Sequence, residues 1–327
     1  MNQARDLLFL YTETPLHAGV GFDPDAAVDL PIQRDETTGY PIIFSSTLKG
    51  SFRSLARAKR VDEEIEAAVF GALPEQVEEA DAREEESEKG KSPFPAALSI
   101  GDAQLLLFPV RSLLGVFVWA TSAQAFARFL RTAHRVGVGQ EIPQIPAPPP
   151  GIAWVAPQSP VITEKKELVL EEFTFRAREQ RAMTHLGQWL ADTAFPLDES
   201  FDYWVQKMTS HFIVLPDEAF QFFVTTRTMI THRIRIDPET GVVQEGALWS
   251  EEYVPPEALF YTPVEVQAPD KPIEGLESAE EVFGWFRTLL DDVVQVGAGR
   301  TLGRGLLRVR WAGEEVDEAE EEEESVA

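Results

Sequence analysis

The stretch GAGRTLGRGLLRVRW, residues 297–311, contains four glycines, four arginines and no acidic residue, and it ends in a run typical of a β-strand. We call residues 297–305 the glycine loop. Glycines let a backbone approach a ligand closely, and arginines donate charge-assisted hydrogen bonds to anions. Because the whole chain carries a formal net charge of −26, this local cluster of arginines predicts a docking site for an anion, most simply a phosphate backbone.

The elements around the glycine loop exclude the common nucleotide-cofactor folds. Ser278 and Glu281 form a predicted capping box, and the apolar residues up to Val293 keep helical spacing. Dinucleotide-binding and P-loop folds place their phosphate loop after a strand and before a helix. Here the predicted order is helix, loop, strand, and the spacing G-x-G-x-x-x-G-x-G matches neither fingerprint.

Composition bounds the class of protein. The chain has 327 residues, of which 44% are hydrophobic, so we expect a globular protein with a packed core. The absence of cysteine excludes disulfides, thiolate chemistry and cysteine-based zinc sites. No window approaches 18 uninterrupted apolar residues, and the first strand-like run is too short for a signal peptide. We therefore expect a soluble, cytoplasmic protein with no membrane contact.

The negative charge is concentrated in two segments. Residues 62–89 carry −10 and residues 314–324 carry −9, so the rest of the chain is only mildly acidic. The global charge is thus a weak argument against nucleic-acid binding. The low-complexity parts of these segments, 75–91 and the tail 313–327, are predicted to be disordered.

A second basic feature lies near the N-terminus. Residues 47–60 predict a helix, and residues 45–60 contain five bases and no acid. Helical spacing places four of the bases on one stripe beside an apolar stripe that includes Leu48 and Phe52. This stripe, predicted to contact phosphates, consists of Lys49, Arg53, Arg57 and Arg60.

The late middle of the chain predicts a long β-hairpin. Residues 220–236 are rich in β-branched and aromatic residues, residues 237–241 (DPETG) are a strong turn signal, and strand character resumes at Val242. The arms carry Arg227 and Arg233 together with apolar residues. That mixture suits packing against bases as well as contact with phosphates.

Three collinear stretches carry a resemblance to a known family. They are VDLPIQRDETTGYPIIFSSTLKGSFR (Val28–Arg53), RIRIDPETGVVQEGALWSEEYVP (Arg233–Pro255) and the stretch at 297–311. Together they resemble the RAMP proteins of CRISPR systems, and more specifically the repeated backbone subunit of the Cmr-type (type III-B) effector complex. Three stretches in the same order are far more specific than the glycine loop alone.

The resemblance implies an α+β fold. A ferredoxin-like, RRM-related palm is expected from residues 1–215 together with 264–312, including irregular insertions. A β-hairpin thumb is expected at 216–263.

The resemblance also implies a function. Copies of such a subunit stack helically along CRISPR RNA, together with other Cmr subunits. Target RNA is cut at six-nucleotide intervals. The cleavage is metal-dependent, with Mg²⁺ or another divalent cation, and leaves 2′,3′-cyclic phosphate ends.

The site residues follow from the same three stretches. Asp29 falls on the family's catalytic aspartate and is the predicted metal ligand; Asp23, Asp25 and Asp35 lie nearby, so composition alone does not single it out. Further candidates for catalysis are His17, Glu251, Glu252 and Tyr253. The predicted RNA contacts are Arg34, Lys49, Arg53, Arg57, Arg227, Arg233, Gly299, Arg300, Gly303 and Arg304. The other four histidines, 134, 185, 211 and 232, show no ligand spacing and receive no role.

Two other functions remain open at this point. The chain could be a non-catalytic RNA-binding scaffold of a type III effector, with another subunit cutting the target. It could also be a nuclease that processes CRISPR RNA, and metal-free cleavage of that kind usually relies on histidine.

Overall fold

The computed structural model describes residues 3–313 except 24, 26, 73–94, 139–141, 143, 197–198 and 271–272, and leaves out the side chains of 245 and 246. The predicted disordered segment 75–91 and tail residues 314–327 lie outside the described residues. In chain order the elements are β1 (Gln3–Thr12), β2 (Ile42–Ile43), α1 (Ser45–Ala58), α2 (Glu63–Phe70), β3 (Leu98–Ile100), β4 (Ala103–Arg111), β5 (Phe117–Ser122), α3 (Ala123–Val136), β6 (Ile152–Val155), β7 (Glu167–Leu170), β8 (Phe173–Glu179), α4 (Arg181–Ala194), α5 (Asp202–His211), β9 (Phe212–Leu215), α6 (Asp217–Thr226), β10 (Met229–Ile236), β11 (Val243–Tyr253), β12 (Leu259–Gln267), α7 (Ala279–Leu289), β13 (Val293–Gln295) and β14 (Leu306–Trp311).

The ends of the chain build a ferredoxin-like unit. The elements β1, α1, β4, β12, α7 and β14 follow the β-α-β-β-α-β order. Their strands lie side by side as β14-β1-β12-β4, and every neighbouring pair is antiparallel. We call these four strands the palm sheet. The predicted α+β, ferredoxin-like palm is confirmed.

Strand β1 lies at the centre of the palm sheet because its residues are apolar on both faces. Leu8 and Leu10 face a core cluster that includes Phe286 of α7. Leu7, Phe9 and Tyr11 face a second cluster formed with α3 and α4. This is the division of faces that the alternation in sequence predicts. Burial of each such side chain contributes about 1.5–3 kcal/mol.

A single large insertion separates β4 from β12. It extends the palm sheet beyond β4 in the order β5-β9-β6-β8-β7. The hairpin β10–β11 is a separate two-stranded sheet within this insertion, and we call it the hairpin. The helices α1, α3 and α4 have 14 residues each. No helix in the described part of the chain is long and apolar enough to cross a membrane.

The hairpin is shorter than the predicted thumb, and two boundaries need correction. Residues 217–226 form helix α6 rather than a strand, because Phe220, Phe223 and Val224 are buried at helical spacing after Pro216. At the other end, residues 259–263 belong to β12 in the palm sheet. The predicted turn is confirmed, since the Asp237 side chain accepts hydrogen bonds from the amides of Glu239 and Thr240.

Candidate functional site

The glycine loop is fastened to the N-terminal loop, residues 14–38. All four glycines have positive φ angles, between 66° and 81°. A Cβ atom at Gly297 would lie 2.3 Å from the carbonyl oxygen of His17, and one at Gly305 would lie 2.0 Å from the carbonyl oxygen of Val296. The amide of Ala298 donates to the same His17 oxygen at 2.9 Å. Two of the glycines are therefore required for close packing of backbone on backbone.

The two arginines of the glycine loop have different surroundings. Arg300 is exposed and begins a short 3-10 turn, 300–302, which Gly299 and Gly303 flank in left-handed conformations. Arg304 instead places its guanidinium over the ring of Tyr253, 5.1 Å from the centroid. Arg300 thus remains open to a ligand, whereas Arg304 joins the glycine loop to the hairpin by a cation–π contact.

Arg300 borders a groove between the glycine loop and α1. The groove has a volume of about 490 Å³. From the loop side it is lined by Gln295, Gly297 and Arg300. From the helix it is lined mainly by small and hydroxyl-bearing residues: Ser46, Thr47, Gly50, Ser51, Ser54, Leu55 and Ala58. The hydroxyl groups on this face of α1 can form hydrogen bonds with a phosphate or a ribose.

The predicted basic stripe of α1 faces away from this groove. Lys49 donates to the Leu98 carbonyl at 3.1 Å, and Arg53 donates to the Gly71 carbonyl. Arg57 binds the Glu66 carboxylate of α2 with bonds of 2.7–3.0 Å. Burial lowers the pKa of Lys49 and of Arg53.

Three of the four bases in the stripe are therefore already bonded within the fold. The acid missing from residues 45–60 comes from the next helix, and the stripe holds α2 and β3 against α1. Arg60 lies beyond the end of α1. A contact of Lys49, Arg53 or Arg57 with RNA stays a prediction.

Asp29 is held by the hairpin. Its Oδ2 accepts hydrogen bonds from the Ser250 amide and the Ser250 hydroxyl, both at 2.7 Å. The Asp29 amide donates to the same hydroxyl at 3.0 Å. The two bonds from Ser250 keep the pKa of Asp29 below its ordinary value of 3.8, and the charge of His232 lowers it further. The nearby Asp35 serves a local purpose, because its carboxylate caps the turn at Thr38.

His17 is positioned by a hydrogen bond to the backbone of β11. Its Nδ1 lies 2.6 Å from the Glu252 carbonyl oxygen, so Nδ1 must be the donor. A neutral His17 then keeps its lone pair on Nε2. Its ring is 5.5 Å from that of Tyr253, and Gly19 is needed beside Nε2, because a Cβ there would approach within 2.4 Å.

Glu251 and Tyr253 form a polar cluster within the hairpin. The Glu251 carboxylate accepts from the Tyr253 hydroxyl, from Arg233 Nε at 3.1 Å and from Trp249 Nε1 at 2.8 Å. Burial raises the pKa of Glu251, but these donors outweigh burial and hold it below the ordinary value. Burial and the bond to Glu251 raise the pKa of Tyr253. Arg233, a predicted RNA contact, is thereby engaged inside the hairpin.

Glu252 and Arg34 are paired with each other inside the fold. Glu252 is 5% exposed, and its carboxylate accepts from the Arg34 guanidinium, the Ile32 amide at 3.1 Å and the Thr228 hydroxyl at 2.6 Å. Arg34 also donates to the carbonyls of residues 39 and 224. Glu252 and Arg34 thus form an internal ion pair that joins three segments of the chain. Their partners lie so far apart in sequence that only the folded chain reveals the pairing. A role of Glu252 in catalysis and of Arg34 in RNA binding stays a prediction.

Arg227 is also paired. It forms an ion pair with Glu172 and lies 5.4 Å from the ring centroid of Phe222. Its predicted contact with RNA is not tested by this arrangement and stays a prediction. The hairpin does carry exposed apolar side chains, with Ile230, Ile234 and Leu248 each more than half exposed.

Four successive residues of β11, 250–253, bring the candidate site together, and we call them the hairpin base. Ser250 holds Asp29, Glu251 holds Arg233, the carbonyl of Glu252 holds His17, and Tyr253 carries Arg304 on its ring. Among the described residues no group of three or more His, Asp and Glu side chains could enclose a metal ion.

Sequence reasoning missed Ser250 and His232. His232 pairs with Ser250 across the hairpin, which places it near Asp29. It also missed the hydroxyl-bearing face of α1 that lines the groove beside Arg300. None of these residues carries a local signal, because each is defined by what the fold brings next to it.

Comparison with known proteins agrees with this architecture. The sequence model of the RAMP superfamily matches residues 9–308. The chain is 33% identical over 305 residues to the CRISPR system Cmr endoribonuclease Cmr4 of Pyrococcus furiosus, covering 93% of this chain and 94% of that protein. It is 25% identical over 328 residues to the CRISPR system CMR subunit Cmr4 of Saccharolobus solfataricus, covering 93% and 95%.

Solved structures show the same fold. Oligomeric Cmr4 from Pyrococcus furiosus superposes with a TM-score of 0.68 at 25% identity, covering 94% of this chain and 97% of that one. A chain of the type III-B Cmr-beta complex bound to cognate target RNA superposes with a TM-score of 0.65 at 21% identity, with the same coverages. The chain therefore belongs to the RAMP superfamily and, within it, to the family of the Cmr4 proteins.

Proposed function

We propose that this protein is the repeated backbone subunit of a type III-B CRISPR effector, and that it binds CRISPR RNA and cuts the complementary target RNA at six-nucleotide intervals. The observation that carries the proposal is the hairpin base, whose successive residues contact Asp29, His17 and the glycine loop. Similarity along nearly the whole chain to a protein named as a Cmr endoribonuclease supports it. The proposal places the protein in the cytoplasm.

The proposed partners follow from the relatives. Copies of this chain would stack, as the oligomeric relative suggests, and other Cmr subunits would complete the complex. The groove between α1 and the glycine loop is the proposed seat of the guide backbone, with Arg300 and the hydroxyls of Ser46, Thr47 and Ser51 as donors. Contacts of this kind are independent of base sequence and weaken with salt.

The proposed cleavage leaves a 2′,3′-cyclic phosphate and a 5′-hydroxyl. The ribose 2′-oxygen attacks the adjacent phosphorus, its proton leaves to a base, and the bond from phosphorus to the 5′-oxygen breaks while that oxygen gains a proton. This requires in-line geometry and stabilisation of the charge that develops on the phosphate. Asp29 is ionised at neutral pH, because its ordinary pKa of 3.8 already lies well below 7 and the bonds from Ser250 lower it further, so it can orient the 2′-hydroxyl.

The residues fit a role for a divalent cation. One ionised carboxylate with Oδ2 already bonded to Ser250 matches the way Mg²⁺ is held, by one or two carboxylates plus waters and substrate phosphate. When bound, Mg²⁺ or another divalent cation would supply positive charge at the scissile phosphate. His17 Nε2, which keeps its lone pair in the neutral form, is the candidate for accepting a proton.

Asp29→Ala tests the proposal. We expect loss of cleavage at six-nucleotide spacing while the complex still assembles and holds guide RNA. Asp25→Ala is the matched control, because Asp25 is an exposed aspartate in the same loop. Unchanged cleavage by Asp29→Ala would make the chain a non-catalytic scaffold. Cleavage that persists after divalent cations are removed with EDTA would instead favour a metal-free processing nuclease.

A further inference from the structure

Ser250 forms several hydrogen bonds with Asp29, the proposed catalytic residue. The residue is 7% exposed, in the hairpin base. Its amide and its hydroxyl both donate to Asp29 Oδ2, and the hydroxyl oxygen accepts from the Asp29 amide. Three hydrogen bonds thus join two residues that are 221 positions apart.

These bonds fix a side chain that has little other support. Asp29 lies in a bent segment outside any helix or strand, and the residue is partly exposed. Among the described residues, Ser250 is the partner of both hydrogen bonds found at the carboxylate. A short exposed side chain otherwise rotates freely about two torsions, and each ordering contact restricts that freedom.

The backbone alongside continues the connection. The Leu30 amide donates to the Ser250 carbonyl at 3.0 Å, and the Glu252 amide donates to the Leu30 carbonyl at 3.0 Å. Leu30 therefore forms an isolated parallel bridge with Glu251 of β11. Asp29 is thereby attached to the hairpin base.

We propose that Ser250 is a positioning residue for cleavage, which presents the Asp29 carboxylate to the reacting phosphate and ties its orientation to the seating of the hairpin on the RNA. The inference rests on the role of Asp29 in the proposed function. Groups that orient a functional side chain through hydrogen bonds are commonly worth about 10- to 100-fold in activity.

Ser250→Ala removes the hydroxyl and keeps the amide. We expect single-turnover cleavage at saturating target to fall by about 10- to 100-fold, with guide and target affinity unchanged. Ser250→Thr keeps the hydroxyl and should restore most of the rate. Ser250→Cys keeps the volume with a weak donor and should behave like the alanine variant. Ser99→Ala, at an exposed strand serine of β3, is the matched control.

A double-mutant cycle separates positioning from general destabilisation. In an Asp29→Asn background, Ser250→Ala should cause no further loss of the residual rate, because it acts through Asp29. Hydrogen exchange gives a second readout that does not depend on activity. The Asp29 amide loses its acceptor in the alanine variant, so its exchange should accelerate there and return to the wild-type rate in Ser250→Thr.

The outcomes distinguish the two proposals. If Asp29→Asn leaves cleavage unchanged, the proposed function of Asp29 fails. If Asp29→Asn abolishes cleavage while Ser250→Ala cuts within twofold of wild type, or if the two substitutions are fully additive, only the role of Ser250 fails. Weakened guide binding in Ser250→Ala would also overturn it, because a positioning residue leaves binding intact.

Discussion

Glu252→Gln should lower the stability of the protein without abolishing RNA cleavage. The carboxylate of Glu252 is buried and receives a guanidinium, a backbone amide and a hydroxyl. These donors belong to the N-terminal loop and to the residue before β10, and the guanidinium of Arg34 also binds the last turn of α6. The amide of glutamine keeps the volume but leaves the Arg34 charge without its counterion.

The size of the effect follows from the geometry. Removing one partner of a buried ion pair costs about 3–5 kcal/mol, because an uncompensated charge is left behind. The Arg34 side chain is 24% exposed, so water recovers part of this, and we expect about 2–4 kcal/mol. In a chain of this length that corresponds to a fall in melting temperature of roughly 2 °C per kcal/mol.

Glu251→Gln provides the contrast within the same strand. The partners of Glu251 are Arg233, Trp249 and Tyr253, which all lie in the hairpin and stay together without it. We expect a stability loss of only about 1 kcal/mol. The Glu251→Gln substitution should instead lower the rate of cleavage.

Thermal unfolding followed by circular dichroism, with cleavage assayed at a temperature where each variant is folded, checks both variants. Glu252→Gln should melt about 4–8 °C lower and cut within about threefold of the wild-type rate. An unchanged melting temperature together with lost cleavage would show that Glu252 acts in catalysis, as its sequence position suggests, and would refute the structural reasoning.

Two further predictions concern other parts of the fold. Gly297→Ala combines a left-handed backbone with a Cβ 2.3 Å from the His17 carbonyl and should cost at least about 2 kcal/mol, whereas Gly303→Ala has open space and should cost only about 1 kcal/mol. Equal urea midpoints for the two variants would contradict this. Burial raises the pKa of Glu257 from 4.5 to about 7. The folded chain therefore still binds this proton at pH values where the unfolded chain has released it, and the protein loses stability as the pH rises from about 4.5 to about 7. Compared with Glu257→Gln, the wild type should therefore lose melting temperature between about pH 5 and pH 8, and a constant difference would contradict it.

Local signals in the sequence predict the fold well where one segment contains all the partners. The capping box of α7 needs only Ser278 and Glu281, and both of its hydrogen bonds are present. The turn of the hairpin needs only Asp237 and the residues after it. The faces of β1 follow from strict alternation. Helix α6 was missed because its aromatic and β-branched residues favour strands, and burial of Phe220 and Phe223 overrides that preference.

The candidate site was harder to predict because its contacts join distant segments. The basic stripe of α1 looked free until Glu66 supplied its counterion. A strand register extrapolated from the predicted turn also gives the wrong residue pairs in the hairpin. Ile236 pairs with Val243, but a bulge between residues 234 and 236 shifts the register, so that His232 rather than Met229 pairs with Ser250. The link between Asp29 and Ser250 depends on that shift.

The central place of β1 has a consequence for synthesis on the ribosome. Its hydrogen-bonding neighbours are β12 and β14, so Leu8 waits for Thr262 and Trp311 before it has both partners. At about 5–20 residues per second, the nascent chain holds this apolar strand without its own neighbours while the ribosome makes the whole segment between β1 and β14. The glycine loop is made later still than β12. We therefore expect the ability to bind RNA to arise only after β12 and β14 have paired with β1, and the unpaired first strand to be a substrate of ribosome-associated chaperones.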